Sequence, residues 1–128
     1  MAPMPVRLRS GQYREPDLVL MLHEHSDRKY DDCWERPELV MEVVSDDAES
    51  RKRDYETKRR EYAEGGVGEY WIVDPQAQRI TVLKLAGKAY VVHGEFTAGA
   101  KATSALLSGL EVWAEAVFAA GKAKKIQD

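Results

Sequence analysis

Three mainly apolar segments dominate the pattern of hydrophobic and polar positions along the chain. They cover residues 17–23, 38–45 and 69–74, and Pro75 stops the last of them. Runs of this length, rich in Leu, Val and Ile, are typical of strands that are buried on both faces. A shorter alternation of apolar and polar residues over positions 5–9 predicts a short edge strand. The pattern therefore predicts a sheet whose inner strands are almost wholly apolar.

Helical and hairpin segments are predicted between and after these strands. Residues 48–64 are predicted to form a helix that ends at the two glycines after it. The polar segment 24–37 is predicted to be a loop. Residues 78–85 and 89–93 predict a hairpin. The last prediction is a helix over residues 111–120. Its inward stripe is predicted from three residues at i, i+3 and i+7: Leu110, Trp113 and Val117.

This order of elements favours a mixed sheet with helices packed on it, in the α/β or α+β class. The length of 128 residues predicts a single domain over residues 1–128. No apolar run approaches the roughly 20 residues that cross a bilayer, so no membrane contact is expected. A single cysteine, Cys33, excludes an intramolecular disulfide, and a cytoplasmic location is expected. The formal charge of −3 argues against broad electrostatic adhesion to nucleic acid.

The main chemical signal is an acidic residue, Glu42, within the second apolar run. A carboxylate in such a strand is costly unless a metal, a cation or hydrogen bonds compensate it. Asp17 stands at the start of the first apolar run, and Lys58 lies in the helix that follows Glu42. Two acids and a lysine from neighbouring elements are therefore candidates to converge on one site.

The predicted helix has one distinct face. At about 100° per residue, five residues fall in one sector: Arg51, Asp54, Tyr55, Lys58 and Tyr62. The two tyrosines supply the only large apolar surface of this helix, so we expect this sector to face the sheet. Lys58 then points inward, with Asp54 one turn before it.

Each of these residues also has a purely structural explanation. Lys58 can belong to a solvated, charged helix, with its stem lying along the surface. Asp17 after Pro16 is typical turn chemistry. Glu42 can be the ion-pair partner of Arg51, or lie on a more hydrated face of the sheet. Taken together, two carboxylates and a lysine suit metal-dependent phosphodiester hydrolysis, in which Mg²⁺ takes oxygen ligands and a cation stabilises developing negative charge.

Four segments of the chain resemble the Uma-two "putative restriction endonuclease" family, a branch of the PD-(D/E)XK nuclease superfamily. They are Pro16–Val19, Glu42–Ser45, Asp54–Tyr62 and Gly66–Pro75. The resemblance implies a restriction-endonuclease-like core, a Mg²⁺ site in which Mn²⁺ can substitute, and DNA as the substrate. A homodimer is expected because two-fold dimers are the commonest oligomers.

The resemblance also implies roles for particular residues. By position, Asp17 matches the first metal carboxylate and Glu42 the second, and the backbone carbonyl of Val43 would be a further ligand. The superfamily lysine usually stands two residues after the second acid, where this chain has Val44. The resemblance implies that Lys58 takes its place from the helix.

Two further residues of the helix would support Lys58. They are Tyr62, one turn after it, and Asp54, one turn before it. This completes the predicted site, in which Asp17, Glu42 and Lys58 are the catalytic residues.

Three departures from the family pattern favour a second hypothesis. Family members usually have helices and a hairpin before the Pro-Asp strand, so the N-terminal part of the fold is expected to be missing. Ser45 is followed by Asp46 and Asp47 where the family often has proline. The chain is also acidic overall. The alternative is therefore a catalytically inactive module that uses the nuclease fold for binding or dimerisation, or a fragment without independent function.

Overall fold

The computed structural model describes residues 4–9 and 11–127, with side chains described as far as residue 120. None of the helices in this part of the chain is long and apolar enough to cross a membrane. The strands are β1 (Val6–Arg7), β2 (Tyr13–Arg14), β3 (Leu18–Leu20), β4 (Leu39–Val43), β5 (Glu69–Asp74), β6 (Arg79–Ala86), β7 (Ala89–Thr97), β8 (Lys101–Thr103) and β9 (Glu111–Trp113). The helices are a 3-10 helix (His23–Arg28), α1 (Ala48–Lys52), a π-helical turn (Arg53–Thr57), α2 (Lys58–Glu64) and α3 (Ala114–Gln127).

Five strands form the central sheet in the order β3-β4-β5-β6-β7. Strands β4 and β5 are parallel, and the other neighbours in this sheet are antiparallel. A parallel pair needs a long crossover connection, which here is the helical segment Ala48–Glu64. The mixed sheet with flanking helices confirms the predicted fold class.

Strand β5 matches its predicted bounds, and all six of its residues are buried. Other predicted bounds change. The first apolar run is a strand only over Leu18–Leu20, and it lies at the open edge of the sheet. The predicted loop 24–37 contains most of the 3-10 helix, which begins at His23. Strand β1 pairs with β2 in a separate two-stranded sheet.

The predicted C-terminal helix was wrong over its first three residues. Residues 111–113 form strand β9, which pairs antiparallel with β8, and the helix begins at Ala114. Trp113 is 51% exposed, and Lys101 Nζ lies 5.0 Å from the centre of its ring. Trp113 is therefore not a core residue, whereas Leu110 and Val117 pack against the core as predicted.

The central sheet carries a hydrophobic core on each face. Successive side chains of a strand point to opposite faces. Val40 of β4 and Val44, which follows the strand, therefore belong to one core, and Leu39 and Val43 belong to the other. The first core contains Tyr62 from helix α2, and we call this side the helix face of the sheet. Glu42 lies between the two valines of the helix face, so its carboxylate is placed beneath the helical segment.

Candidate active site

Glu42 is a buried acid on the helix face of the sheet, with only 4% of its surface exposed. Its burial raises the pKa of its carboxyl group. The positive charge of Lys58 and a hydrogen bond from Tyr62 act in the opposite direction and favour the carboxylate. The structure therefore supplies the compensation that a buried acid in an apolar strand requires.

Two groups from helix α2 meet one oxygen of this carboxylate. Lys58 Nζ lies 3.0 Å from Glu42 Oε2, and the Tyr62 hydroxyl donates a hydrogen bond of 2.7 Å to the same oxygen. Lys58 Nζ also lies 3.1 Å from Oδ1 of Asp54, which is itself buried. The predicted inward sector of the helix thus places one ammonium group between two carboxylates.

Asp17 reaches the same region from the neighbouring strand. The backbone N–H of Val43 donates a hydrogen bond of 2.6 Å to Asp17 Oδ2. Strands β3 and β4 are antiparallel, with Leu18 opposite Met41, and continuing this register by one residue puts Asp17 opposite Glu42. Directly opposite residues project to the same face of a sheet with their Cβ atoms about 5 Å apart. The Asp17 carboxylate therefore lies beside the peptide group that links Glu42 to Val43.

The donor atoms in this region suit a hard divalent cation. The N–H and C=O of one strand residue point to the same edge of the strand, so the carbonyl of Val43 is directed to the side of Asp17. The contacts that Lys58 and Tyr62 make with Glu42 both fall on Oε2. Two carboxylates and a carbonyl are the oxygen ligands that Mg²⁺ and Mn²⁺ accept.

Few side chains in this region are available as metal ligands. Within residues 4–9 and 11–127, no group of three or more His, Cys, Asp or Glu residues is arranged to hold a metal ion. Mg²⁺ commonly keeps several waters and is held by one or two carboxylates together with substrate phosphate. The residues present therefore fit such an ion, with water and substrate completing its coordination.

The helical segment is not a regular α-helix, which sequence did not predict. At the π-helical turn Arg53–Thr57, the N–H of Lys58 donates to the carbonyl of Arg53, five residues back. The Tyr70 hydroxyl donates a hydrogen bond of 2.6 Å to the carbonyl of Asp54. Strand alternation was the available signal for Tyr70, because it places this residue on the helix face beside Val40, its register partner.

A second charged cluster fixes the first part of the helical segment. Arg51 donates two hydrogen bonds to the Asp74 carboxylate, at 2.7 and 3.1 Å, and the Tyr55 hydroxyl donates another at 2.6 Å. Glu42 is therefore not the partner of Arg51, and that structural alternative is wrong. Asp74 lies outside the contacts of Glu42 and belongs to this second cluster.

The contacts of Asp74 predict how the stability of the protein depends on pH. Burial alone would raise the pKa of Asp74, but the hydrogen bonds from Arg51, Tyr55 and the Ala77 amide outweigh it and lower this pKa from 3.8 to about 2. A carboxyl group whose pKa is lowered by folding stabilises the folded state at pH values above its pKa in the unfolded chain. This contribution is lost as the pH falls from about 4 to about 2. Asp74→Asn should therefore be less stable than the natural protein at pH 7, with the difference shrinking over that window.

Urea unfolding at pH 7, 4 and 2.5 measures this difference. Asp27→Asn, a change at an exposed aspartate, is the control and should track the natural protein at each pH. A deficit of Asp74→Asn that stayed constant down to pH 2.5 would contradict the predicted linkage.

The histidine of the predicted loop, His25, contacts Glu38 rather than Glu42. His25 Nδ1 makes a close contact with Glu38 Oε1, and Glu38 Oε2 also accepts a hydrogen bond from the Leu22 amide. This pair ties the 3-10 helix to the start of β4.

The sequence identifies the family to which this fold and site belong. Residues 1–117 match the sequence profile of the family described as "Uma2: Putative restriction endonuclease". This match covers most of the chain, so the protein belongs to the Uma2 family. No match was found among curated proteins.

A solved structure shares the fold. It is described as "a putative nuclease belonging to DUF820" from Anabaena variabilis ATCC 29413, with a TM-score of 0.61 and 13% sequence identity. The match covers 93% of this chain and 66% of that protein. At this identity the likeness establishes the architecture, and the chain spans just under two thirds of the length of its structural relative.

Proposed function

We propose that this protein is a Mg²⁺-dependent endonuclease that hydrolyses phosphodiester bonds of DNA. The observation that carries the proposal is the contact of the Lys58 ammonium group with the buried Glu42, next to which the Val43 amide binds a second acid, Asp17. Membership of a family described as a restriction endonuclease supports the reaction class and the DNA substrate.

Asp17, Glu42 and the carbonyl of Val43 would hold the metal in this proposal. When bound, Mg²⁺ would supply polarisation of a phosphoryl oxygen and a lowered pKa for a bound water. The carboxylates of Asp17 and Glu42 would approach the metal from either side of the Val43 backbone. The N–H of Val43 already binds Asp17. Binding the scissile phosphate at this edge would bring its oxygens near Lys58.

Three helix residues would position and assist the acids. Lys58 would stabilise the negative charge that develops on phosphate as water attacks and the bond to the leaving oxygen breaks. Burial and the nearby Glu42 raise the pKa of Tyr62 far above its ordinary value, so its phenol would remain a hydrogen-bond donor that orients Glu42. Asp54 would hold the ammonium group of Lys58 from the opposite side.

Contacts with DNA would depend on local basic side chains, because the formal charge of −3 gives no broad attractive field. One such place is a hollow of about 260 Å³ between α2 and the β6–β7 turn. Arg59, Arg60 and Lys88 line it together with Glu56. Arginine and lysine clusters of this kind are the usual partners of backbone phosphates.

Cleavage of supercoiled plasmid is the direct test. We expect nicked and linear products with Mg²⁺ or Mn²⁺ and none with EDTA, and single-stranded DNA and RNA tested in parallel define the nucleic-acid type. A folded protein that cleaves none of these substrates with either metal would refute the proposal.

The alternative function is a catalytically inactive nuclease-fold module for binding or dimerisation. It is favoured by the closed state of the site, since the Glu42 carboxylate is nearly inaccessible and already carries two partners on Oε2. Titration with Mg²⁺ separates the two functions at low cost. Saturable binding with a rise in thermal stability supports the nuclease, whereas no binding and unchanged stability supports the module.

We also propose that the protein acts in the cytoplasm as a homodimer. The feature that supports self-association is an apolar hollow of about 370 Å³ between the open edge strand β3 and helix α3. Leu18 and Leu20 line it and are 40% and 38% exposed. A second copy of the chain would bury these leucines and cover the unpaired strand edge.

Light scattering across a range of concentrations tests the dimer. The natural protein should approach twice the mass of one chain, and Leu20→Glu should remain monomeric because it charges the hollow. Val92→Glu, at an exposed valine of β7, is the matched control and should still dimerise. A natural protein that stays monomeric at all concentrations would exclude this interface.

A further inference from the structure

We infer that Tyr70 is a positioning residue that holds the π-helical turn and, through it, keeps Lys58 between Glu42 and Asp54. Sequence patterns assign Tyr70 only a place in a buried strand. Its hydroxyl instead binds the backbone carbonyl of Asp54, whose usual α-helical donor, the N–H of Lys58, bonds to Arg53 in the irregular turn. The catalytic consequence rests on the proposed nuclease function, whereas the geometric consequence does not.

The hydrogen bonds of the turn show why a partner is needed. In a regular α-helix the N–H of residue 58 would donate to the carbonyl of residue 54. Here the Lys58 N–H donates to Arg53 instead, so the Asp54 carbonyl must be satisfied elsewhere. A buried carbonyl without a hydrogen bond is costly, and the Tyr70 hydroxyl supplies that bond at 2.6 Å.

The tyrosine that supplies this bond is rigidly placed. Tyr70 is fully buried in the central strand β5, and its ring packs against the rings of Tyr62 at 5.1 Å and Tyr90 at 6.2 Å between centroids. Burial, together with Glu42 and Asp54 nearby, raises the pKa of Tyr70 well above its ordinary value. The hydroxyl therefore keeps its proton and remains a donor.

The position of Lys58 depends on this turn. A wide turn changes the rotation of the helix that follows it relative to the helix that precedes it. The preceding part is fixed, because Arg51 binds Asp74. If the turn relaxed to a regular α-helix, the Lys58 amide would bond to Asp54 and α2 would rotate about its axis. The ammonium group would then leave its place between two carboxylates.

Tyr70→Phe removes only the hydroxyl and tests this directly. Tyr90→Phe is the matched control, because Tyr90 also donates a buried hydrogen bond to a backbone carbonyl, that of Val67, at 2.7 Å. The first readout is the rate at which an amine-reactive acetylating reagent labels Lys58 in the folded protein, followed by mass spectrometry. In Tyr70→Phe we expect this rate to rise roughly 5- to 10-fold, the factor that the loss of one hydrogen bond implies.

Labelling of Lys58 should stay at the natural rate in Tyr90→Phe. Equal labelling in the natural protein and in Tyr70→Phe, or equal increases in both variants, would overturn the inference. The labelling experiment needs no nuclease activity, so it tests whether Tyr70 holds Lys58 in place even if the proposed function fails.

The second readout is cleavage and follows the same logic. Tyr70→Phe should lower the cleavage rate per folded molecule on the order of 10- to 100-fold, as small misplacements of catalytic groups do. In a Lys58→Met background, Tyr70→Phe should add no further loss, because it acts through Lys58. Losses that multiplied would show that Tyr70 acts independently and would contradict the inference.

A deletion provides a test that leaves Tyr70 intact. Removing Glu56, an exposed residue of the π-helical turn, takes out one residue of the wide turn. The expected result is again faster labelling of Lys58 and slower cleavage. A deletion variant that folds and keeps Lys58 protected would show that the turn does not set the position of the lysine.

Discussion

Replacing Glu42 by glutamine is expected to abolish saturable metal binding and to lower DNA cleavage at least about 100-fold, an effect typical of losing one preorganised charged group in an active site. The amide keeps the shape of the side chain but loses the negative charge that binds a cation. Tyr62 can still donate to the remaining oxygen, so the hydrogen bond at this position survives. Lys58 keeps Asp54 as an anionic partner, so the fold should persist.

The control for this variant is a second buried glutamate in a central strand. Glu69 is fully buried on the opposite face of the sheet. It accepts hydrogen bonds from Trp71 Nε1, Ser104 Oγ and the Leu106 amide. Glu69→Gln should lower stability and leave metal binding and cleavage per folded molecule unchanged. Calorimetric titration with Mg²⁺ and single-turnover cleavage measure both variants, and natural values in Glu42→Gln would exclude Glu42 as a ligand.

Replacing Lys58 by methionine is expected to destabilise the protein by about 3 kcal/mol, the scale for removing one partner of a buried ion pair. Methionine fills the space of the lysine stem but leaves Glu42 and Asp54 as neighbouring buried acids without a cation. Cleavage should fall together with stability, because the group that stabilises developing charge is absent. Adding Asp54→Asn removes one of the two uncompensated acids and should restore part of the stability without restoring cleavage.

The loss of stability is measured by urea unfolding. The loss of cleavage is measured separately, at a temperature where all variants are folded. Lys52→Met is the control, because Lys52 is an exposed residue of the same helical segment, and it should change neither quantity appreciably. Recovery of cleavage in the double variant would show that Lys58 serves only to neutralise its neighbours. Full stability of Lys58→Met would show that its ion pairs contribute nothing to folding.

Local sequence signals were sufficient for the elements that are buried throughout. Strand β5 was predicted to the residue because its six residues are all buried and Pro75 follows. The bounds of the helical segment also agree, since Gly65 and Gly66 mark its end. The inward sector of this segment was predictable because charged residues on all other sides left only one direction for the tyrosines.

Elements that depend on distant partners were not predictable in this way. Residues 111–113 carry a helix-like spacing with Leu110 and Val117, but the chain pairs them with β8, and Trp113 then turns outward to Lys101. In the π-helical turn, the carbonyl of Asp54 accepts a hydrogen bond from the hydroxyl of Tyr70, sixteen residues further along the chain. Neither signal is present in the segment itself, so tertiary contacts override local preference.

Ion pairs attach the helical segment to the central sheet, from Arg51 to Asp74 and from Lys58 to Glu42. Both ion pairs use inward side chains, so the outward side chains, such as those of Lys52 and Glu56, are not required for either. Those side chains can diverge between relatives, or be altered by design, without loosening the segment from the strands beneath it.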